Sequence, residues 1–155
     1  MSNAENIKQT FTEYHRFLQL ISEAGRILKQ MLSSKTIQDT VEVIKCYKIL
    51  YKYGLSFAQE GLRKMLTLVY SKDNQVSAQV IEIYHSIYFG TDQTANDKVK
   101  NLFGLMKDCS LTDLTCLEEM FGRLINENAF SDEVFNILWA TYLTFGSSKF
   151  KDLNA

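Results

Sequence analysis

VIKCYKILY, residues 43–51, recurs as VIEIYHSIY at residues 80–88 and as LEEMFGRLI at residues 117–125. The offset is 37 residues both times. Val43, Val80 and Leu117 fall in register, as do Tyr47, Tyr84 and Phe121. Leu50, Ile87 and Leu124 follow, then Tyr51, Tyr88 and Ile125. The intervening stretches repeat at the same offset, with Met65, Leu102 and Trp139 in one column and Leu68, Leu105 and Tyr142 in another. One period therefore holds two helices. A helix pair of this size cannot bury its own apolar faces, so neighbouring pairs must stack, which is the physical logic of an α-solenoid.

Working outward from the repeat, every segment reads as helix and none alternates with period two. The spacing predicts helices over 5–33 (broken near Ser22 or Gly25), 36–53, 57–71, 74–89, 95–108, 112–128 and 131–145. Thr36 with Asp39, Ser56 with Gln59, and Thr94 with Asp97 have capping-box spacing, in which a hydroxyl accepts an early backbone N–H and the later side chain reaches back. Gly54, Gly90 and Gly146 stand where helices are expected to end. Among helix-pair repeats the tetratricopeptide type needs Gly, Ala and Pro at fixed positions that are missing here, so the HEAT type fits better. The turn SKDNQV, Ser71 to Val76, agrees: a HEAT unit joins its helices by a short turn containing Asp, here Asp73, followed by Val on the second helix, here Val76. The Arg common after that Val is Ser77.

The expected fold is all-α, an armadillo-like HEAT-repeat α-solenoid of about three helix pairs, with an unpaired C-terminal helix and no sheet. Met1 to Ala4 read as a cloning remnant, residues 5–146 as one HEAT-repeat segment, and 147–155 as a tail. The unpaired helix 131–145 is expected to expose Phe135, Leu138, Trp139, Tyr142 and Leu143, and so to self-associate weakly or to be covered by the tail 147–155 through Phe150 and Leu153.

Composition excludes several classes. The 155 residues contain no proline, seven glycines and three cysteines, which removes collagen-like and disulfide-stapled scaffolds. At 46% hydrophobic the chain is not intrinsically disordered. A net charge of −1 gives no global argument for nucleic-acid binding. No apolar run approaches the ~18 residues of a membrane span, so no membrane partner is expected. Residues 1–8 have no apolar core like that of a signal peptide, so Cys46, Cys109 and Cys116 read as reduced thiols of an intracellular protein.

The run EGLRKMLTLVYSKDNQV, Glu60 to Val76, followed by VIEIYHSIYF, Val80 to Phe89, resembles the condensin complex subunit 1 family, the HEAT-repeat non-SMC subunits of condensin. That family carries a helix of the form G-[LIV]-R-[KR]-M-L-x-L-[VI]-[WY]-S-K-D. Gly61, Arg63, Lys64, Met65, Leu66, Leu68, Tyr70, Ser71, Lys72 and Asp73 match it, with Tyr70 where Trp is more usual. SLTDLTCLEEMF, Ser110 to Phe121, is also similar, and the resemblance spans roughly Thr36 to Tyr142. The resemblance implies an internal fragment of a non-catalytic scaffold in a chromosome-compacting ATPase complex, located in the nucleus and on chromosomes, or in the cytoplasm outside mitosis. It implies a kleisin subunit, SMC ATPase heads and DNA as partners.

The residues themselves offer no catalytic constellation. His15 and His85 are the only histidines, and Cys109 and Cys116 lie seven apart, which is not a zinc spacing. No metal or cofactor is expected. The aromatic pairs Tyr47/Tyr51 and Tyr84/Tyr88 sit at i,i+4 beside aliphatics and read as core rather than as a base-stacking platform. Charge is distributed unevenly. From Arg26 to Lys72 nine basic residues face three acids, and from Asp108 to Val134 seven acids face Arg123 alone. Lys45, Lys48 and Lys52 project within about 60° of one another at 100° per residue. With Arg63, Lys64 and Lys72 they form the candidate DNA- or partner-binding set, any DNA affinity being weak and without sequence preference. The alternative is a generic HEAT adaptor, such as a transport receptor or phosphatase scaffold, that binds peptide segments only.

Overall fold

The computed structural model describes the backbone of residues 3–107 and 109–152, and the side chains of residues 4–107 and 109–144. The described residues form seven α-helices: α1 (Asn3–Met31), α2 (Ile37–Lys52), α3 (Ser56–Leu66), α4 (Asn74–Tyr88), α5 (Ala95–Met106), α6 (Leu111–Asn126) and α7 (Asp132–Asp152). A 3-10 turn, Thr67–Tyr70, prolongs α3. No strand occurs among the described residues. The fold is the all-α, HEAT-like one that the 37-residue offset predicts.

The period is visible in the helix ends. Thr36, Asp73 and Ser110 precede α2, α4 and α6, each 37 residues after the last. Ser110 makes a full capping box: its hydroxyl accepts the Asp113 N–H at 3.1 Å, and the Asp113 carboxylate accepts the Ser110 N–H at 3.0 Å. The Asp73 carboxylate accepts the N–H groups of Gln75 at 2.8 Å and Val76 at 3.2 Å. These oxygens satisfy donors that the first helical turn leaves without partners. Helix α2 ends with the Leu55 N–H on the Leu50 carbonyl and the Gly54 N–H on that of Tyr51. Two periods later Ala129 bonds to Leu124 and Asn128 to Ile125 in the same way. Both ends need a residue at positive φ, taken by Gly54 (71°) and Asn128 (55°).

Four local expectations fail. Helix α1 does not break at Ser22 or Gly25. Gly25 is buried inside it, and a Cβ there would meet the Phe57 ring at 2.6 to 3.0 Å, so this glycine admits a ring rather than ending a helix. Thr36 makes no side-chain cap; Ser34 comes between it and Asp39, accepting the Thr36 N–H and donating to the Asp39 carboxylate that a capping box would have turned to that N–H. Ser56 lies inside α3, whose cap position is Leu55. Helix α7 runs through Gly146 to Asp152 instead of stopping at 145. The Thr94–Asp97 box does form, the Thr94 hydroxyl accepting the Asp97 N–H at 3.2 Å and donating to its carboxylate at 2.6 Å. That hydrogen bond holds the Asp97 carboxyl below the usual carboxylate range.

The chain divides into two compact units, Met1–Gln79 and Val80–Ala155. In the first, α3 packs on both α1 and α2. Leu32, Val41, Ile44, Tyr47, Leu62, Met65 and Val69 are buried. A Cβ on Gly61 would fall inside the Tyr47 ring, so α2 and α3 meet by an aromatic side chain seated on bare backbone. In the second unit α5 packs on α7, and Val80, Tyr84, Phe89, Leu117, Met120 and Leu124 are buried. Tyr47 and Tyr84 thus lie in the core as the spacing predicts, and Tyr84 stacks on the half-buried Tyr88 at 5.7 Å. On α7 Phe135, Trp139, Tyr142 and Leu143 are exposed. The expected cover from Phe150 and Leu153 concerns side chains outside the described residues.

Because Tyr47 is buried and cannot swing into solvent, Gly61→Ala must displace the ring or separate the helices. The expected loss is about 1–3 kcal/mol of unfolding free energy, the usual cost of overpacking. Urea titration checks it; an unchanged midpoint would mean that α2 and α3 are not held by this contact.

Candidate functional site

Helix α2 presents two different faces. Val43, Ile44 and Tyr47 turn inward, while Lys45 and Lys52 are exposed and Lys48 is half-buried. The sequence places the lysines there because a 3.6-residue period carries 45, 48 and 52 to the side away from Tyr47. Lys45 pairs with Glu42 at 2.8 Å one turn earlier. That pair is solvated, so it is worth little and exchanges readily for another anion. Lys52 lies in the last turn, where a cation complements the helix dipole.

Of the other predicted residues, Arg63 and Lys72 are exposed, the first on α3 and the second in the turn before α4. Lys64 is occupied. Its ammonium donates to the Lys29 carbonyl oxygen at 2.7 Å, near the end of α1, and Lys29 itself pairs with Glu60. Lys64 therefore ties α3 to α1 and satisfies a helix-end carbonyl. The basic face proper consists of Lys45, Lys48 and Lys52.

Two apolar side chains share that face and were missed from the sequence. Ile49 is 56% exposed and Tyr53 is 78% exposed. The repeat carried the signal: Ser86 and Arg123 occupy the place of Ile49 in the other copies, which marks it as a solvent position. The same alignment shows Lys45 replaced by Glu82 and Glu119, so the basic character belongs to the first copy alone.

Cys46, Cys109 and Cys116 are free thiols. Burial pushes Cys46 up from the ordinary thiol value, and burial followed by the Asp113 charge does the same for Cys116. Cys109 donates to the Leu105 carbonyl oxygen at 2.7 Å. Among the described residues no three His, Cys, Asp or Glu side chains come together as a metal site. No helix of the described residues is long and apolar enough to cross a membrane.

The raised thiol values deplete the thiolate, which is the reactive form. Cys46 and Cys116 should react with Ellman's reagent more slowly in the folded chain than in urea at the same mildly alkaline pH. The unfolded thiols ionise first, so stability should fall as pH rises above the ordinary thiol range. Equal rates in the folded and unfolded chain would contradict the partial burial of Cys46 and the burial of Cys116.

No family model matches the chain. Six curated relatives do, and all carry condensin subunit names. Condensin complex subunit 1 of Schizosaccharomyces pombe is 27% identical over 146 residues, covering 87% of this chain and 13% of its own length. That of Xenopus laevis is 29% identical over 147 residues, covering 92% of this chain and 11% of its own. The Homo sapiens protein is 27% identical over 140 residues, covering 87% and 10%. The chain thus spans about a tenth of the length of the curated relatives it matches. The motif from Glu60 to Val76 and these six proteins agree: over most of its length the chain is similar to a segment of condensin complex subunit 1.

Proposed function

We propose that the chain is a non-catalytic scaffold segment of a condensin subunit, serving mitotic chromosome condensation in the nucleus and on chromosomes by contacts with the kleisin subunit, the SMC ATPase heads and DNA. Its relatives are named as subunits of that complex, which supports the setting. The observation that carries the DNA contact is the solvated face of Lys45, Lys48 and Lys52 on one helix of the first unit. Lysines so placed meet phosphates without reading bases, so they give orientation and encounter rather than sequence specificity. Three phosphate contacts imply an affinity that drops roughly 40-fold between about 50 and 200 mM salt.

Ile49 and Tyr53 favour a second reading of the same face. Exposed apolar side chains beside lysines suit an acidic peptide segment with its own apolar groups better than a bare phosphate backbone. That is the adaptor alternative. Such a peptide would lose less affinity with salt, because part of its contact is apolar.

Fluorescence anisotropy on labelled duplex DNA at low and moderate salt tests the first reading. The parent should bind weakly and steeply salt-dependently. The variant Lys45→Glu, Lys48→Glu, Lys52→Glu should lose binding while keeping its helical circular dichroism. Equal binding by parent and triple variant would remove this face from the reading. No binding by the parent at low salt would leave it as a protein-docking face.

A further inference from the structure

A second surface lies in the second unit and owes nothing to the basic face. A cavity of about 220 Å³ opens among Phe89, Leu102, Phe121, Phe130 and Phe135, and among the described residues of its lining Lys98 is the one that carries a charge. Its aromatic walls fix one another. Phe89 meets Phe121 edge-on at 5.7 Å and Phe130 at 5.2 Å, and Phe130 meets Phe135 edge-on at 6.3 Å. Rings held in such contacts do not rotate freely into the space between them, so the cavity is formed before anything enters it.

The volume is below the roughly 300–1,000 Å³ of sites that enclose a whole small molecule, and suits one large apolar side chain. Lys98 is half-buried on α5, where its stem lies along the apolar wall. Among the described residues it makes no ion pair. From Phe135 an apolar path continues along α7 to Trp139 and Tyr142, which are exposed and stack on each other at 5.9 Å. A buried anchor, a cation beside it and an aromatic path leading away are the parts of a peptide-docking site.

We propose that this cavity docks a segment of a partner protein that carries a phenylalanine, leucine or methionine anchor with a carboxylate on the neighbouring residue. The anchor fills the cavity, the carboxylate pairs with the Lys98 ammonium, and the flanking backbone runs over Trp139 and Tyr142.

The test uses the full chain, isotope-labelled, titrated in nuclear magnetic resonance with the blocked peptides Ser-Asp-Phe-Ser, Ser-Lys-Phe-Ser and Ser-Asp-Ala-Ser. One anchor supports dissociation constants on the order of 1 mM. The Asp-Phe peptide should shift resonances of Lys98 and the cavity residues, and the Lys-Phe peptide should bind roughly threefold or more weakly, as for one solvated charge pair. The Asp-Ala peptide should not bind. Lys98→Glu should reverse the preference between the first two. Leu102→Trp should fill the cavity and abolish binding; if that variant unfolds, the charge reversal at Lys98 still decides. The triple lysine variant of α2 should bind these peptides as the parent does, which separates this site from the DNA reading. Equal affinity for Asp-Phe and Lys-Phe, shifts confined to other surfaces, or no shift at about tenfold the expected constant would each overturn the proposal.

Discussion

The Tyr47 ring seated on Gly61 is the contact on which the first unit depends. A helix that carries a tyrosine at its inner face can approach a neighbour closely only where that neighbour has no side chain. Gly61 supplies the gap on α3, and Gly25 on α1 supplies another for Phe57. Helix α3 is thereby held between α1 and α2 by two rings on two glycines. This gives the glycine of the Glu60–Val76 motif a mechanical reason. It also fixes the rotation of α2, because once Tyr47 points at Gly61, Lys45 and Lys52 must point to solvent.

The polar ties around that contact are secondary. Lys29 with Glu60 and Lys45 with Glu42 are exposed pairs, worth about 0–1 kcal/mol each. Lys64 on the Lys29 carbonyl matters differently, since it gives a helix-end acceptor a partner and removes a cation from the candidate face. Six basic residues that look equivalent in sequence therefore serve different ends. Lys64 anchors a helix; Lys45, Lys48 and Lys52 share one side of α2, where Lys45 pairs with Glu42 and Lys48 is half-buried; Arg63 and Lys72 stand apart from it on α3 and its following turn.

The three copies share a frame and differ in what they show to solvent. Inward columns stay apolar, with Val43, Val80 and Leu117 all buried. The outward column reads Lys45, Glu82 and Glu119. The last copy also departs inside: Met65 is buried, whereas Trp139 in the same column is 64% exposed. A repeat of this kind constrains the inward columns, which must stack, and leaves the outer side chains free to differ from copy to copy.

The sequence by itself determined the helical class, the two-helix period and most helix boundaries. Those follow from apolar spacing and from caps acting over three or four residues, which any reader of the chain can see. The Thr94 box and the end at Gly54 were legible for that reason. Ser110 with Asp113 is equally local but is not among the three boxes singled out from the sequence. What only the tertiary structure decided depends on residues far apart in the chain. Gly25 looks like a helix breaker until Phe57, thirty-two positions later, is placed against it. Lys64 looks like a free cation until the Lys29 carbonyl is brought to it. The cavity of the second unit needs rings from Phe89, Phe121, Phe130 and Phe135 to meet, and no local pattern records that they do. Local periodicity sets which way a side chain points, but only packing sets what it meets there.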